Sequence, residues 1–348
     1  MRAAVISEVG RAPSLGELPD PDPRALVAPE WPVASPSRRA AEETQPADGL
    51  TLVEVRSAAL NPLDLHVAAG RFFQGRPQLP YAPGVEGAGV VIESDSAAAG
   101  TRVRFEVGHP GYGTNGSLVE RAVAPDSTLV ELPADIDEDT AAAAGVAGIT
   151  AMRALDLLEI QSGERVLVLG ATGAIGQLAL QLARIAGAGH VVAAGRSPQG
   201  LERADELGAD ACVQLDGREG DELAAAFREA AGGRGVDAVV DPLWGGPAMA
   251  ALAAGAFGVR LVNFGQAAAS ETAMSSVPLR NNRATVLGIS TAMDPPKVRR
   301  DRCAQVLDLV AAGRLTVAHE VLPLDRVAEA WRRQAASPNG KLVLRLDP

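Results

Sequence analysis

The sequence predicts an α/β protein in which a doubly wound parallel sheet follows a β-rich region. From residue 165 onward, short apolar strands alternate with helical segments, as in RVLVLG, IGQLALQLARIAG and HVVAAG. This alternation is typical of parallel strands that helices cover on both faces. The first third is instead punctuated by glycine, and segments such as LTLVEVRS alternate like half-buried strands. A chain of 348 residues with 47% hydrophobic residues is long enough for roughly two such domains.

The β-rich region divides into short elements separated by glycine and proline. Strands are predicted over 2–7, 14–18, 50–57, 84–93, 101–107 and 117–123, with a turn and short helix over 61–70. The segment 19–48 is dense in proline, alanine and charge, so it is predicted to be a long loop. This loop is either a surface insertion or a flap that carries Trp31 toward a substrate.

The remaining helices and strands are predicted from changes in the residue pattern along the chain. A helix-rich stretch over 135–158 has acidic residues in its first turn, as the helix dipole prefers. Beyond Gly288 the strand–helix alternation loosens. A helix is predicted over 299–312, a strand over 317–323, a helix over 324–335 and a final strand over 341–346.

Charge and composition exclude several classes of function. With 32 Lys and Arg against 43 Asp and Glu, the net charge is −11, which argues against binding to nucleic acid or to anionic membranes. Aromatic residues make up only 3%, which disfavours base-stacking surfaces. Two cysteines cannot form a disulfide framework. No signal peptide or membrane span is recognisable, so a soluble, cytoplasmic protein is expected.

A glycine-rich turn is the strongest motif. The buried strand VLVL runs into Gly170, Ala171, Thr172, Gly173, Ala174, Ile175 and Gly176, and an amphipathic helix follows. This strand–turn–helix context predicts a dinucleotide site, in which amides at the helix N-terminus bind a pyrophosphate. Gly173 would leave room for phosphate, and Gly176 would allow the helix to pack closely on the strand.

The end of the next strand indicates which dinucleotide is bound. NAD sites place an acidic residue there to bind the ribose 2′-hydroxyl. This chain has Arg196 and Ser197 after HVVAAG. A guanidinium can pair with a 2′-phosphate and the serine hydroxyl can add one bond, so NADPH is the predicted cofactor. The alternative is an arginine that is merely solvated.

Seven motifs together resemble the zinc-independent quinone oxidoreductase-like branch of the medium-chain dehydrogenase/reductase superfamily. They are NPLD at 61–64, PGVEGAG at 83–89, GITA at 148–151, ATGAIG at 171–176, DAVVD at 237–241, LVNFGQ at 261–266 and NGK at 339–341. The resemblance implies a GroES-like catalytic domain over 1–134 and 289–348. It implies a Rossmann NADPH-binding domain over 135–288.

The resemblance also points to further cofactor residues. Phe264, Gly265 and Gln266 follow a strand at the carboxyl edge of the sheet and are expected to line the ribose site. Thr150 either contacts the nicotinamide ribose or phosphate or is an ordinary helix-interior threonine. Lys341 either reaches the cofactor or is solvated at the start of a strand.

Zinc catalysis is not expected from this sequence. Zinc-bearing relatives carry Cys where Asn61 stands and His where Val85 stands, and the four-cysteine structural lobe is missing. The four histidines, His66, His109, His190 and His319, show no ligand spacing. Without a Lewis acid, reduction of an activated, conjugated acceptor is favoured over alcohol oxidation.

Three residues near the NPLD motif are catalytic candidates. His66 stands where relatives often carry a tyrosine that lines the nicotinamide pocket. Its imidazole would donate a hydrogen bond or a proton to the developing enolate, unless local backbone groups satisfy it. Asn61 either faces the nicotinamide or substrate oxygen or only shapes the turn before proline. Asp64 is expected to cap or orient local backbone rather than act as a base.

The sequence therefore predicts an NADPH-dependent reductase of quinones or α,β-unsaturated carbonyls. One alternative is a natural-product tailoring enzyme on the same fold, and another is a protein that binds NADPH without turnover. The resemblance implies a homodimer that pairs edge strands of the cofactor domain, and VRLVNFG is apolar enough to serve as such an edge.

Overall fold

A computed structural model describes residues 1–21, 49–72, 74–108 and 110–346. The proposed flap residue Trp31, most of the predicted loop over 19–48, and His109 lie outside these ranges. The described chain separates into two compact units. The β-rich unit comprises Met1–Val146, Ala292–Arg314 and Ala318–Pro348, and the parallel-sheet unit comprises Ala147–Thr291 and Leu315–Val317.

The described residues form the following strands and helices. The strands are β1 (Arg2–Val5), β2 (Ser14–Glu17), β3 (Leu50–Ala59), β4 (Glu86–Glu93), β5 (Arg102–Glu106), β6 (Arg121–Pro125), β7 (Val130–Glu131), β8 (Arg165–Leu169), β9 (His190–Gly195), β10 (Ala211–Gln214), β11 (Val236–Asp241), β12 (Gly255–Asn263), β13 (Thr285–Gly288), β14 (His319–Pro323) and β15 (Lys341–Arg345). The helices are α1 (Pro62–Ala68), α2 (Glu138–Leu158), α3 (Ala174–Ile185), α4 (Pro198–Glu206), α5 (Gly220–Ala230), α6 (Gly245–Ala253), α7 (Ser276–Asn281), α8 (Pro296–Ala311) and α9 (Val327–Ala335).

The parallel-sheet unit confirms the predicted Rossmann architecture. Its six strands are all parallel and lie in the order β10-β9-β8-β11-β12-β13. This order places β8 and β11 side by side at the centre, where the direction of strand addition reverses. In open α/β sheets, ligands bind outside the carboxyl ends of the strands at such a switch point. The order therefore predicts where a nucleotide would lie in this unit.

The β-rich unit is built mainly from antiparallel strands, which agrees with the predicted GroES-like class. One sheet has the order β14-β15-β3-β4-β5-β7, and β6 adds to β3. Only β14 and β15 pair in parallel within this order, and β15 then pairs antiparallel with β3. The C-terminal strand thus lies beside a strand near the N-terminus, which joins Lys341 to the same sheet as the NPLD turn.

Two local predictions were wrong. The strand predicted over 117–123 lies further along the chain, at Arg121–Pro125, where it pairs with β3. The segment VRLVNFG was expected at a sheet edge, but β12 lies between β11 and β13. An apolar strand buried on both faces belongs inside a parallel sheet, and the shorter β13 forms the edge.

Among the described residues, one helix is long and apolar enough to cross a membrane. This helix is α2, and 72% of its most apolar stretch is buried inside the protein. Such burial is typical of the core helix of a soluble protein.

Candidate functional site

The glycine-rich turn after β8 folds tightly because two of its glycines are sterically required. Gly170 has φ of +61°, in the left-handed region that favours glycine. A Cβ on Gly176 would lie 2.3 Å from the Gly170 carbonyl oxygen. The Ala171 amide donates to the Ala194 carbonyl at 2.9 Å, which ties the turn to the end of β9. The turn is therefore fixed by packing within the chain itself.

The start of α3 leaves backbone donors available for an anion. The amides of Ala174, Ile175 and Gly176 lie in the first turn, where a helix offers no carbonyl to accept them. A Cβ on Gly173 would meet only the Gly170 oxygen at 3.5 Å, which is ordinary contact. The chain itself thus has room for a side chain at Gly173, and that room lies beside the donors. A pyrophosphate fits this cradle by charge and by space.

Arg196 and Ser197 lie at the carboxyl end of β9, as expected, but they differ in how they are bound. The Arg196 side chain is exposed, and no described residue forms a hydrogen bond or ion pair with its guanidinium. Ser197 Oγ accepts the Gly200 amide at 3.1 Å and so caps α4. An exposed cation therefore follows β9 directly, and the serine next to it has a structural role.

The ends of β11 and β12 pack against each other through Gly265. A Cβ on Gly265 would lie 2.5 Å from the Pro242 carbonyl oxygen, so glycine is required there. The Phe264 amide donates to the Asp241 carbonyl at 3.0 Å, and Gln266 is exposed beyond it. This places 264–266 at the carboxyl edge of the sheet. Thr150 is buried on α2, with its hydroxyl 3.3 Å from that of Thr291.

In the β-rich unit, the Asn61 side chain is fully engaged by the protein. Its Nδ2 donates to Glu86 Oε1 at 2.9 Å and to the Ala59 carbonyl at 3.3 Å. Its Oδ1 accepts from Lys341 Nζ at 2.6 Å. Both amide N–H groups are thereby used. The structure gives Asn61 the role of a buried linker between β4 and β15, ahead of the helix that Pro62 begins.

Glu86 is the centre of this buried network. It is 0% exposed, and its two oxygens accept from Lys341 at 2.9 Å and from Arg104 at 2.7 Å. The Asn61 side-chain amide is a third donor to Glu86, and the Val146 backbone amide adds a fourth at 2.6 Å. Burial alone would raise the pKa of this carboxyl, but Lys341, Arg104 and the hydrogen bonds together lower it. Glu86 is therefore held as a carboxylate.

The network continues as a row of alternating charges. Arg104 Nη1 also donates to Glu106 at 2.6 Å, and Glu106 in turn pairs with Arg299 on α8. All these side chains are buried. Each charge has an opposite neighbour, which offsets part of the cost of burying it. Burial, and then the like charge of Arg104, still lowers the pKa of Arg299 to about 9. The row connects β4, β5, α8 and β15.

Asp64 is a second buried carboxyl beside the network. Its Oδ2 accepts the Asn61 amide at 2.8 Å, and its Oδ1 accepts the Gly84 amide at 3.1 Å. These bonds agree with the expected role of orienting local backbone. Burial is the main cause that raises the pKa of Asp64 to about 7, against the opposing effects of its hydrogen bonds and of Lys341.

His66 lies on α1 but outside the network. Its side chain is half-buried, and none of the described residues forms a hydrogen bond with the imidazole. Burial, and then the nearby Arg71, lowers the pKa of His66 below its usual value. The imidazole is therefore neutral at pH 7 and keeps one N–H and one acceptor nitrogen.

The structure brings together Asn61, Asp64 and Lys341, which the sequence analysis had considered separately. It also adds Glu86, Arg104, Glu106 and Arg299, which that analysis missed. One signal was present in the sequence. In RVRFE, Arg104 and Glu106 are two residues apart on one face of a strand, a spacing that allows an ion pair but does not reveal that the pair is buried.

Comparisons with known proteins find two families that match parts of this chain. Residues 174–312 match the zinc-binding dehydrogenase family, and residues 47–134 match the alcohol dehydrogenase GroES-like domain. The chain is 33% identical over 311 residues to a phthioceranic/hydroxyphthioceranic acid synthase of Mycobacterium tuberculosis, a match that covers 86% of this chain. The chain spans only 14% of the length of that synthase.

Two further similarities are a match over a shorter stretch of the chain and a likeness to a solved structure of lower sequence identity. A quinone oxidoreductase of Lama guanicoe is 37% identical over 144 residues, which cover 40% of this chain and 42% of that protein. The fold superposes on a mycobacterial protein complexed with NADPH with a TM-score of 0.80 and 23% identity, over 99% of this chain and 100% of the other.

Replacing Glu86 with glutamine should strongly destabilise the β-rich unit. Lys341 would remain buried without a carboxylate and Arg104 would keep only Glu106, and breaking a buried pair typically costs about 3–5 kcal/mol. Chemical denaturation measures the loss. The matched control is Glu320→Gln, which breaks an exposed pair with Arg333 and should cost about 1 kcal/mol or less. Equal losses in the two variants would contradict the role given to Glu86.

Asp64 should make stability depend on pH. The folded-state pKa of about 7 lies above the unfolded value of 3.8, so between these values the folded state holds a proton that the unfolded state has lost. The free energy of unfolding should therefore fall as pH rises from 4 to 7, by on the order of 1 kcal/mol per pH unit from this group. Asp64→Asn should remove that slope in denaturation curves. Parallel pH dependences of wild type and variant would show that Asp64 is not the responsible group.

Proposed function

Since this chain belongs to the medium-chain dehydrogenase/reductase superfamily of oxidoreductases, we propose that it is an NADPH-dependent, zinc-independent reductase of quinones or α,β-unsaturated carbonyls. The observation that carries the proposal is the pairing of a phosphate-binding turn with an exposed arginine at the end of the next strand. The buried charge network supports the metal-free part of the proposal.

The proposed NADPH site is formed by three groups of residues in the parallel-sheet unit. The amides of Ala174, Ile175 and Gly176 would bind the pyrophosphate, and Gly173 leaves space for it. Arg196 would pair with the 2′-phosphate, since no described residue neutralises its charge. Residues 264–266 lie at the same edge of the sheet and would line the nicotinamide ribose. The fold of the mycobacterial protein complexed with NADPH is consistent with this choice.

The donor set around Asn61 does not fit zinc. Asn61 supplies a neutral amide, and its oxygen is bound by the Lys341 ammonium at 2.6 Å. A fixed positive charge at this distance would repel a second cation. Val85 has no ligand atom, and zinc prefers thiolate, imidazole or carboxylate. We therefore assign no step to a metal, although the matched family is named for zinc binding.

Bound NADPH would supply a hydride for an electrophilic carbon of the acceptor. The protein's part is to hold the acceptor and to stabilise the negative charge that develops on its oxygen. Neutral His66 is the proposed donor for that oxygen, because its imidazole has no hydrogen-bond partner among the described residues. Its lowered pKa favours donation of a hydrogen bond over transfer of a proton from an imidazolium. Asn61, Asp64 and Lys341 would position α1, which carries His66.

The substrate could belong to natural-product biosynthesis. This second candidate is favoured by the 33% identity to a mycobacterial acid synthase over 86% of this chain. The acceptor would then be an α,β-unsaturated acyl group, which offers the same electrophilic β-carbon and carbonyl oxygen. The protein would perform the same reaction as with a quinone or an enone, which is hydride transfer with stabilisation of the charge on the acceptor oxygen. A protein that binds NADPH without turnover remains the outcome if no acceptor is reduced.

Location and assembly complete the proposal. A soluble, cytoplasmic protein that acts on small molecules fits the acidic charge and the burial of α2. A homodimer would pair the edge strand β13 of each copy, in place of the segment VRLVNFG.

Arg196→Ala should change cofactor preference. Loss of a charge-assisted pair with the 2′-phosphate should weaken NADPH binding roughly 10- to 100-fold and leave NADH binding within about threefold. Calorimetric titration of both nucleotides measures this difference. Arg203→Ala is the matched control, because Arg203 lies on α4 and pairs with Glu206. An equal loss for NADPH and NADH would refute the role of Arg196.

Absorbance at 340 nm with a panel of quinones, enones and unsaturated acyl thioesters tests the reaction itself. Wild type should oxidise NADPH with at least one acceptor class. His66→Phe should lower kcat about 100-fold, the usual effect of losing a positioned donor. His66→Gln should retain much of kcat, because the amide still donates a hydrogen bond.

The two variants separate the possible roles of His66. Equal loss in His66→Gln and His66→Phe would indicate proton transfer by the imidazole. Unchanged turnover in both variants across pH would show that His66 has no part in the reaction. Absence of NADPH oxidation with every acceptor would favour the non-catalytic alternative.

A further inference from the structure

Trp244 has a backbone conformation that side chains rarely adopt. Its φ is 58° and its ψ is −165°, a region occupied almost only by glycine. The next residue, Gly245, also has a positive φ of 68° and begins α6. A tryptophan at the first of these two positions is strained, typically by about 1–3 kcal/mol, where glycine would not be. Such strain persists only where neighbouring groups hold the backbone in place.

Asp241 supplies that restraint. It is 0% exposed, and its Oδ1 accepts the Leu243 amide at 2.8 Å and the Trp244 amide at 2.9 Å. Its Oδ2 accepts Asn263 Nδ2 at 2.8 Å. The carboxylate therefore holds the turn between β11 and α6 through its hydrogen bonds to the Leu243 and Trp244 amides. These bonds keep the Trp244 backbone in its strained conformation.

The turn lies against the glycine-rich turn at the switch point of the sheet. A Cβ on Gly170 would be 2.9 Å from Pro242 Cγ and 3.3 Å from Leu243 Cδ2. Since β9 and β11 lie on either side of β8, Arg196 and residues 242–244 follow the two strands that flank the glycine-rich turn. A nucleotide whose pyrophosphate lies on α3 would have residues 242–244 on one side.

The indole itself is only partly buried. It packs on the apolar core cluster of this unit, as does Leu215, whose amide bonds to Gly195 at the end of β9. None of the described residues forms a hydrogen bond with the indole N–H. A half-exposed aromatic ring on a rigid backbone at the edge of a nucleotide crevice is a stacking surface.

From these features we infer that Trp244 stacks on the adenine ring of the bound nucleotide and so sets its position. This inference rests on the proposed function, because it assumes a nucleotide on the glycine-rich turn. The strained backbone directs the indole, and Asp241 maintains the strain. Trp244 is a positioning residue for the cofactor and has no role in the hydride step.

Calorimetric binding of adenosine 2′,5′-bisphosphate, which lacks the nicotinamide half, tests the inference. Trp244→Leu and Trp244→Gly should weaken binding roughly 5- to 100-fold, the range of base–aromatic stacking. Trp244→Phe should stay within about threefold, because it keeps an aromatic face. Trp331→Phe is the control, because Trp331 is buried in the β-rich unit. Trp244→Gly should unfold at a higher temperature than Trp244→Leu, because glycine relieves the strain.

Three outcomes would overturn the inference. Binding by Trp244→Leu and Trp244→Gly that equals wild type would show that the ring does not touch adenine. An equal loss in Trp244→Phe and Trp244→Leu would show that packing, not stacking, matters. Failure of the wild-type protein to bind NADPH at all would refute the proposed function, and this inference with it. If wild type binds NADPH normally, either of the first two results refutes only the role given to Trp244.

Discussion

The contact between the Glu86 carboxylate and the two cations Lys341 and Arg104 is the interaction on which the β-rich unit depends. A fully buried carboxylate is tolerable only when charges and donors surround it, and here β15, β5 and the start of α2 supply them. The same contact fixes the Asn61 amide and hence the beginning of α1. Lysine and arginine thus supply the positive charge that this buried carboxylate requires.

The parallel-sheet unit is organised by a different constraint, which is close backbone approach at the carboxyl edge. Gly170, Gly176 and Gly265 each stand where a Cβ would collide with backbone or with a neighbouring turn. Asp241 then holds the adjoining turn through its two carboxylate oxygens. Together these contacts form a rigid edge with helix amides and one exposed guanidinium, which suits an anionic dinucleotide. A rigid edge of this kind favours binding of a nucleotide, because its hydrogen-bond donors are already in position before the nucleotide binds.

The sequence predicted the parallel sheet well because its signals are local: each apolar strand, turn and helix is contiguous. It could not predict the charge network, since Lys341 meets Asn61 and Glu86 across 280 and 255 residues. A sequence shows that Lys341 begins a strand but not which strand lies beside it. The misplaced edge strand has a related cause, because β13 is short and weakly apolar, so the more apolar β12 looked like the end of the sheet. Only the full pairing order separates an edge from an interior strand.

The proposed reaction is the transfer of hydride from NADPH to a conjugated acceptor without a metal. The most direct test uses NADPH dideuterated at nicotinamide C4, an enone acceptor and mass analysis of the product, with and without a strong zinc chelator. We expect one deuterium at the β-carbon of the product and the same rate in both reactions. A product without deuterium, or activity that the chelator abolishes and zinc restores, would contradict the proposed reaction.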